Sequence, residues 1–172
     1  MGAATYSATE TLRDGREVEI RALARSDEAD IVAAVGRSSA ASLYRRFFAV
    51  RRDFSEKEIE FFLNADFTGH VALVALMRQG GRDVIVGGGR YIVVHPGTAE
   101  LAFMVEDDCQ GQGIGGLLLR HLVAFARRAG LRELIAEVLP ENLPMFKVLE
   151  RSGLGLTRKQ QDGVLHVVLS LD

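Results

Sequence analysis

Residues 104–116, Met-Val-Glu-Asp-Asp-Cys-Gln-Gly-Gln-Gly-Ile-Gly-Gly, hold the side chains and backbone best suited to grip an anion. Gly111, Gly113, Gly115 and Gly116, with Gln110 and Gln112 between them, lie where an apolar strand-like run ends and an apolar helical run begins. The N–H groups of such a turn, followed by the unpaired donors of a first helical turn, form a neutral cradle for phosphate. Glycine removes the Cβ that would hold the anion off and tolerates positive φ. A pyrophosphate suits this cradle; a flexible surface turn is the alternative that glycines alone leave open. The chain has no G-K-[ST] ending, which excludes a nucleotide triphosphatase P-loop. Gly111, Gly113 and Gly116 match G-x-G-x-x-G by spacing, but that fingerprint belongs to a βαβ unit opening its sheet, and this turn lies two thirds along the chain.

A second chemical group stands just upstream. Glu100 interrupts the apolar run Ala-Glu-Leu-Ala-Phe-Met-Val and shares a strand face with Ala102 and Met104 by period-two counting. Burial among such neighbours would raise a carboxyl pKa toward neutrality, where a general base works best. The competing reading is an acid on the solvated face of a half-exposed strand. Cys109, the single cysteine, excludes an internal disulfide framework, and no histidine lies close enough in sequence to activate it as a nucleophile. His70, His95, His121 and His166 show no metal-ligand spacing, and no metal is expected. The glycines of Gly87–Tyr91 read as a bulged strand with close backbone approach.

Positioning these groups requires a scaffold, and 172 residues with 48% hydrophobic composition suffice for one compact core. One domain over 1–172 is expected, with residues 1–10 a flexible tail. A formal charge of -2 argues against phosphate-tracking nucleic-acid binding. Arg45, Arg46, Arg51 and Arg52 form a local basic patch, read as a solvated rim. No apolar run reaches the ~18 residues of a membrane span, and the first ten residues lack an apolar signal core, so a cytoplasmic location without membrane partners is expected.

Period-two alternation predicts a strand at 16–23, β-rich runs predict strands at 70–77 and 83–94, and further strands are expected at 99–106, 132–139 and 163–172. Gln79-Gly80-Gly81 marks the turn between the second and third. Helices are predicted at 26–36, with Ser26 or Asp27 as cap, at 38–50, and at 55–65, where Ser55 and Glu58 form a capping box. Apolar residues at 114, 117, 118, 122, 125, 126 and 129 predict an amphipathic helix closed by Gly130, and a last helix spans 142–153. This order points to a mixed α/β sheet with helices on both faces.

Gln110-Gly111-Gln112-Gly113-Ile114-Gly115 resembles the Q/R-x-x-G-x-G/A acyl-CoA pyrophosphate loop of the GNAT N-acetyltransferases. The strand before it, the helix after it and "VLPENLPMFKVLERSGL" extend the likeness over most of the chain. Within that superfamily "SSAASLYRRFF", "HVALVA" and "VLPENLPM" are most similar to the acetyltransferase domain of bacterial Pat-type protein lysine acetyltransferases. The resemblance implies a mostly antiparallel sheet of about six or seven strands, acetyl-CoA as co-substrate, and transfer to a protein lysine amine by direct attack in a ternary complex. It implies cofactor contacts from Met104, Val105, Gln110, Gly111, Gln112, Gly113, Ile114, Gly115, Gly116 and Asn142. The Val105 N–H would polarise the thioester, and Glu100 would be the general base, which a lysine ammonium of pKa roughly 10.4 requires. Asn142 is also a good helix N-cap ahead of Leu143-Pro144. Leu149 stands where many GNAT enzymes carry a tyrosine acid, so the thiolate would leave through water or unassisted. A small-molecule amine acetyltransferase and a non-catalytic acyl-CoA sensor are the alternative functions. Acceptor choice is expected from 38–48, and the oligomeric state is open.

Overall fold

The computed structural model describes residues 5–37, 39 and 55–172. Its strands are β1 (Ser7–Thr11), β2 (Glu17–Ala22), β3 (His70–Gln79), β4 (Arg82–His95), β5 (Thr98–Val105), β6 (Glu133–Val138), β7 (Gly155–Gln161) and β8 (Val164–Ser170). The helices are α1 (Glu28–Arg37), α2 (Glu56–Leu63), α3 (Ile114–Arg128) and α4 (Leu143–Glu150). The strands form one sheet in the order β1-β2-β3-β4-β5-β6-β8-β7. All neighbours are antiparallel except β5 and β6, which run parallel.

Eight strands replace the six or seven expected. Ser7–Thr11, anticipated within a flexible tail, pairs with β2 as an edge strand. Its polar sequence, Ser-Ala-Thr-Glu-Thr, carries no alternation that would betray it. The opposite edge, β7, is almost wholly exposed for the same reason. Apart from Ser39, the expected helix at 38–50 and the arginines at 45, 46, 51 and 52 lie outside the described residues.

Local chemistry accounts for the rest. Gly80 and Gly81 both have positive φ, and Gln79 pairs directly with Arg82, so the β3–β4 hairpin closes through a two-residue type I′ turn. Ser55 and Glu58 exchange the two capping-box bonds that start α2. At the end of α3, Gly130 turns left-handed while Leu131 N–H donates to Ala126 O and Gly130 N–H to Arg127 O, the paired bonds of a Schellman cap.

One face of α3 buries Ile114, Leu118, Leu119, Leu122 and Ala126 against β2 to β5, with α4 beside it. Each such leucine contributes roughly 1.5–3 kcal/mol by leaving water. The close fit of α3 explains the β4 glycines. A Cβ at Gly89 would stand 3.0 Å from Leu122 Cδ1, and the register jumps at Ala75/Leu76, leaving Val86 as an extra residue in β4. The expected bulge with close backbone approach is therefore present. On the other face α1 and α2 cover Ala72, Val74, Leu76 and Ile85.

Candidate active site

β5 and β6 pair only at Thr98/Glu133, Ala99/Leu134 and Glu100/Ile135. Beyond that point each strand keeps its outer partner, β5 with β4 and β6 with β8, so the sheet forks while staying anchored on both sides. Glu106 N–H donates to Val86 O across β4 at 2.7 Å. Strand alternation therefore turns the N–H groups of Val105 and Phe103 toward the side that β6 has vacated. An arm carrying amides can add to this edge as an extra strand.

The glycine turn sits at the open end of the fork. Gly111 and Gly113 have φ of 77° and 95°, and Gly113 caps α3. The first helical bond runs from Leu117 N–H to Gly113 O at 3.1 Å. The N–H groups of Ile114, Gly115 and Gly116 thus precede the hydrogen-bonded ladder and are the free donors of a helix start. Gln110 Nε2 donates to Val105 O at 2.9 Å and ties the turn to the strand. Gln112 accepts from Arg16 at 2.6 Å and donates to Asp108 O at 3.3 Å, so its side chain braces the turn from outside.

Together these elements wall a cleft of about 1040 Å³ lined by Leu101–Val105, Cys109–Leu117 and Asn142–Met145. The predicted contact residues all reach it, in different ways. Gly116 is exposed, and a Cβ there would meet nothing within 4 Å. Gly115 is buried, and its Cβ would press 3.3 Å from Val148 Cγ2, so its bareness serves the packing of α3 on α4. Ile114 is buried in the core, leaving only its main chain for a ligand. Asn142 caps α4 by accepting from Met145 N–H at 3.3 Å, the anticipated N-cap, and lines the cleft. Leu149 is fully buried.

Glu100 departs from expectation. It lies on the face of Ala102 and Met104, as counted, but it is exposed. Its cross-strand neighbours Ile92 and Ile135 are only half-buried, and α1 and α2 cover the rows nearer β3 instead. Glu100 keeps its candidacy through its place at the closed end of the fork. Five strand residues span about 17 Å, so Glu100 and Val105 do not touch the same atom. Phe103, which the sequence reading passed over, presents a cleft-facing N–H nearer to Glu100. Cys109 is buried and its thiol is pushed up by burial, with the nearby Glu106 carboxylate adding to the rise. A thiol so placed is a poor nucleophile.

A second cavity, about 290 Å³ and largely apolar, lies on the α1/α2 face and shares Ala102 and Met104 with the cleft. Arg90 crosses it, donating to Phe62 O at 3.0 Å and to His70 Nε2 at 2.9 Å. Burial and the Arg90 charge lower the His70 pKa to about 4.

A forked sheet with a glycine turn at its mouth defines an acyl-CoA-dependent transferase fold. Residues 38–154 match the family described as Acetyltransferase (GNAT). The chain belongs to that family of acetyltransferases. It is 35% identical over 117 residues to acetyltransferase Pat of Mycolicibacterium smegmatis, covering 67% of this chain and 34% of that protein. It is 34% identical over 126 residues to acetyltransferase PA5475 of Pseudomonas aeruginosa, covering 73% and 68%. The chain thus spans about a third of the first relative and two thirds of the second. The crystal structure of the GNAT domain of S. lividans PAT superposes with a TM-score of 0.86 at 34% identity, covering 95% of this chain and 96% of that one. No helix among the described residues is long and apolar enough to cross a membrane.

Proposed function

We propose that this protein acetylates a lysine side chain of a protein, by direct attack of the amine within a ternary complex. The observation that supports the reading is the fork: an unpaired β5 edge beside a glycine turn on one side, with Glu100 and an apolar cavity on the other face. Gly111, Gly113, Gly116 and the first N–H groups of α3 would hold the pyrophosphate. The absence of a Cβ at 116 and the positive φ at 111 and 113 fit such a group. Met104 and Val105 main chain would pair with the arm, and Asn142 would close the far wall. Acetyl-CoA, when bound, supplies the activated thioester.

The remaining chemistry falls to this chain. N–H groups of Phe103 and Val105 face the vacated side, where they can receive the carbonyl oxygen and stabilise its developing charge. Glu100 takes the proton released from the acceptor ammonium through intervening water, since it stands about 10 Å along the strand from Phe103. Leu149 offers no proton, so the thiolate, whose thiol pKa is near 8.5, leaves unassisted or through water. Buried Cys109 takes no part, and no acyl-enzyme forms. The small-molecule alternative draws support from the 290 Å³ cavity, which is large enough for an alkylamine.

Incubating a cell extract with labelled acetyl-CoA and the protein, before and after removal of extract protein, decides between them. Label on protein bands supports lysine transfer. Label confined to small molecules overturns it in favour of a small amine, and no label points to a sensor.

A further inference from the structure

Gly87, Gly88 and Gly89 follow one another in the middle of β4, where glycine weakens a strand by its lost freedom and its lack of a side chain to pack. Packing explains two of them. A Cβ at Gly89 would stand 3.0 Å from Leu122 Cδ1 on α3, and one at Gly87 would stand 3.1 Å from Met104 O. Gly88 faces the opposite side of the sheet. Its Cβ would meet Leu73 O at 3.4 Å and Val74 Cγ1 at 4.0 Å, both ordinary contacts, and its φ is not positive. Neither a clash nor the backbone requires glycine at 88, and what the bare position leaves is room.

That room belongs to the cavity of about 290 Å³ on the α1/α2 face. Gly88 pairs with Val74 on one side and Met104 on the other, so the row across these strands lacks its middle side chain. Ile31 and Val35 of α1, with Ile59 and Leu63 of α2, line the space above it. The charged groups in the lining are engaged or exposed: Glu106 accepts from Arg37 Nε at 3.0 Å, Arg90 donates to Phe62 O and His70 Nε2, and Glu28 is exposed. An apolar cavity of about half this volume takes up benzene, six carbons. A charged amine among these side chains would lose its hydration, whereas hydrocarbon gains by leaving water.

The cavity meets the larger cleft at Ala102 and Met104. These residues flank Phe103, whose N–H, with that of Val105, faces the position assigned above to the thioester carbonyl. A chain leaving that carbonyl across Met104 meets Gly88 one strand further on, about 5 Å away. An acetyl methyl stops short of it, and an acyl chain of three or four carbons reaches it.

We infer that Gly88 is a specificity-determining residue whose missing side chain opens an acyl-chain pocket, and that the protein accepts donors longer than acetyl-CoA, propionyl-CoA and butyryl-CoA among them. This rests on the acyl-CoA reading of the cleft and extends the range of donors that it takes. The transfer itself is the same: the amine N–C bond forms as the C–S bond breaks, CoA leaves as its thiolate, and the amine proton passes through water to Glu100.

Calorimetric titration without an acceptor, which reads binding and not turnover, compares CoA, acetyl-CoA, propionyl-CoA and butyryl-CoA. Affinity should rise roughly three- to fourfold with each added methylene, about tenfold from acetyl-CoA to butyryl-CoA, the scale of burying hydrocarbon. Gly88→Val, whose methyl groups fill the gap, should bind CoA as the wild type does and butyryl-CoA no better than acetyl-CoA. Wild-type affinities for acetyl-CoA and butyryl-CoA within twofold of each other overturn the assignment even if the variant fails to fold, and return the cavity to the acceptor. A chain-length gain that survives in Gly88→Val overturns it as well. Failure of CoA and of every acyl-CoA to bind overturns the cleft reading and the pocket together, whereas CoA bound without a chain-length gain overturns the pocket alone.

Discussion

Gly116→Asp separates binding from folding because the two should move in opposite directions. Gly116 is the third residue of α3, lines the cleft, and has open space where a Cβ would go. Replacing a helical glycine reduces the entropy lost on folding, and an acid in the first turn interacts favourably with the positive end of the helix dipole, together about 0.5–1.5 kcal/mol of added stability. Melting temperature should therefore hold or rise by a few degrees at this chain length. The same carboxylate would stand beside the bound pyrophosphate. Two like charges about 5 Å apart at an effective dielectric near 20 repel by about 3 kcal/mol, and solvent access reduces this to roughly 2 kcal/mol, about thirtyfold in Kd. Calorimetric titration of CoA into wild type, Gly116→Ala and Gly116→Asp gives the comparison. Gly116→Ala should bind nearly as well as wild type, and the Gly116→Asp defect should shrink as salt is raised. Binding by Gly116→Asp within twofold of wild type, with the fold intact, would refute the placement of the pyrophosphate at this turn.

Glu100→Gln should lower turnover about a hundred- to ten-thousandfold while CoA affinity and melting temperature barely change, since the side chain is exposed; turnover within a few-fold of wild type removes Glu100 as the base. Cys109→Ala should retain most activity and lose roughly 1 kcal/mol of stability from its buried site, and intact-protein mass spectrometry with acetyl-CoA alone should show no adduct at this residue. His70, with its pKa lowered to about 4 by burial and Arg90, binds a proton less readily folded than unfolded. Stability should accordingly fall as pH drops from about 6.5 to about 4, by on the order of 3 kcal/mol, and urea titrations across that window should show the slope flatten in His70→Gln.

Much of the backbone that walls the candidate cleft was legible because it is local. The turn at 110–116, the helix start behind it, the Gly80-Gly81 hairpin and the Ser55–Glu58 cap each depend on residues a few positions apart, whose backbone preferences act whatever the rest of the chain does. The periodicity of α3 announced its buried face for the same reason. The edge strands β1 and β7 escaped because an exposed strand owes its existence to its neighbour's unpaired backbone and needs no apolar pattern of its own.

The fork and the acceptor side belong to tertiary structure. Whether β5 and β6 stay paired depends on the outer partners that hold each strand after Glu100 and Ile135, and those partners come from distant parts of the chain. Glu100 kept its predicted face yet lost its predicted burial, since alternation sets which side a residue takes and only the placement of α1 and α2 sets what covers it. Glu106 became conspicuous only once Arg37, 69 positions away, had taken one of its oxygens and the fold had left the other without a donor among the described residues. Residue types and short spacings determine backbone conformation and the choice of face, because those energies are local. Cavities, strand separation and unpaired charges arise from how remote segments are brought together, and no short window of sequence contains that information.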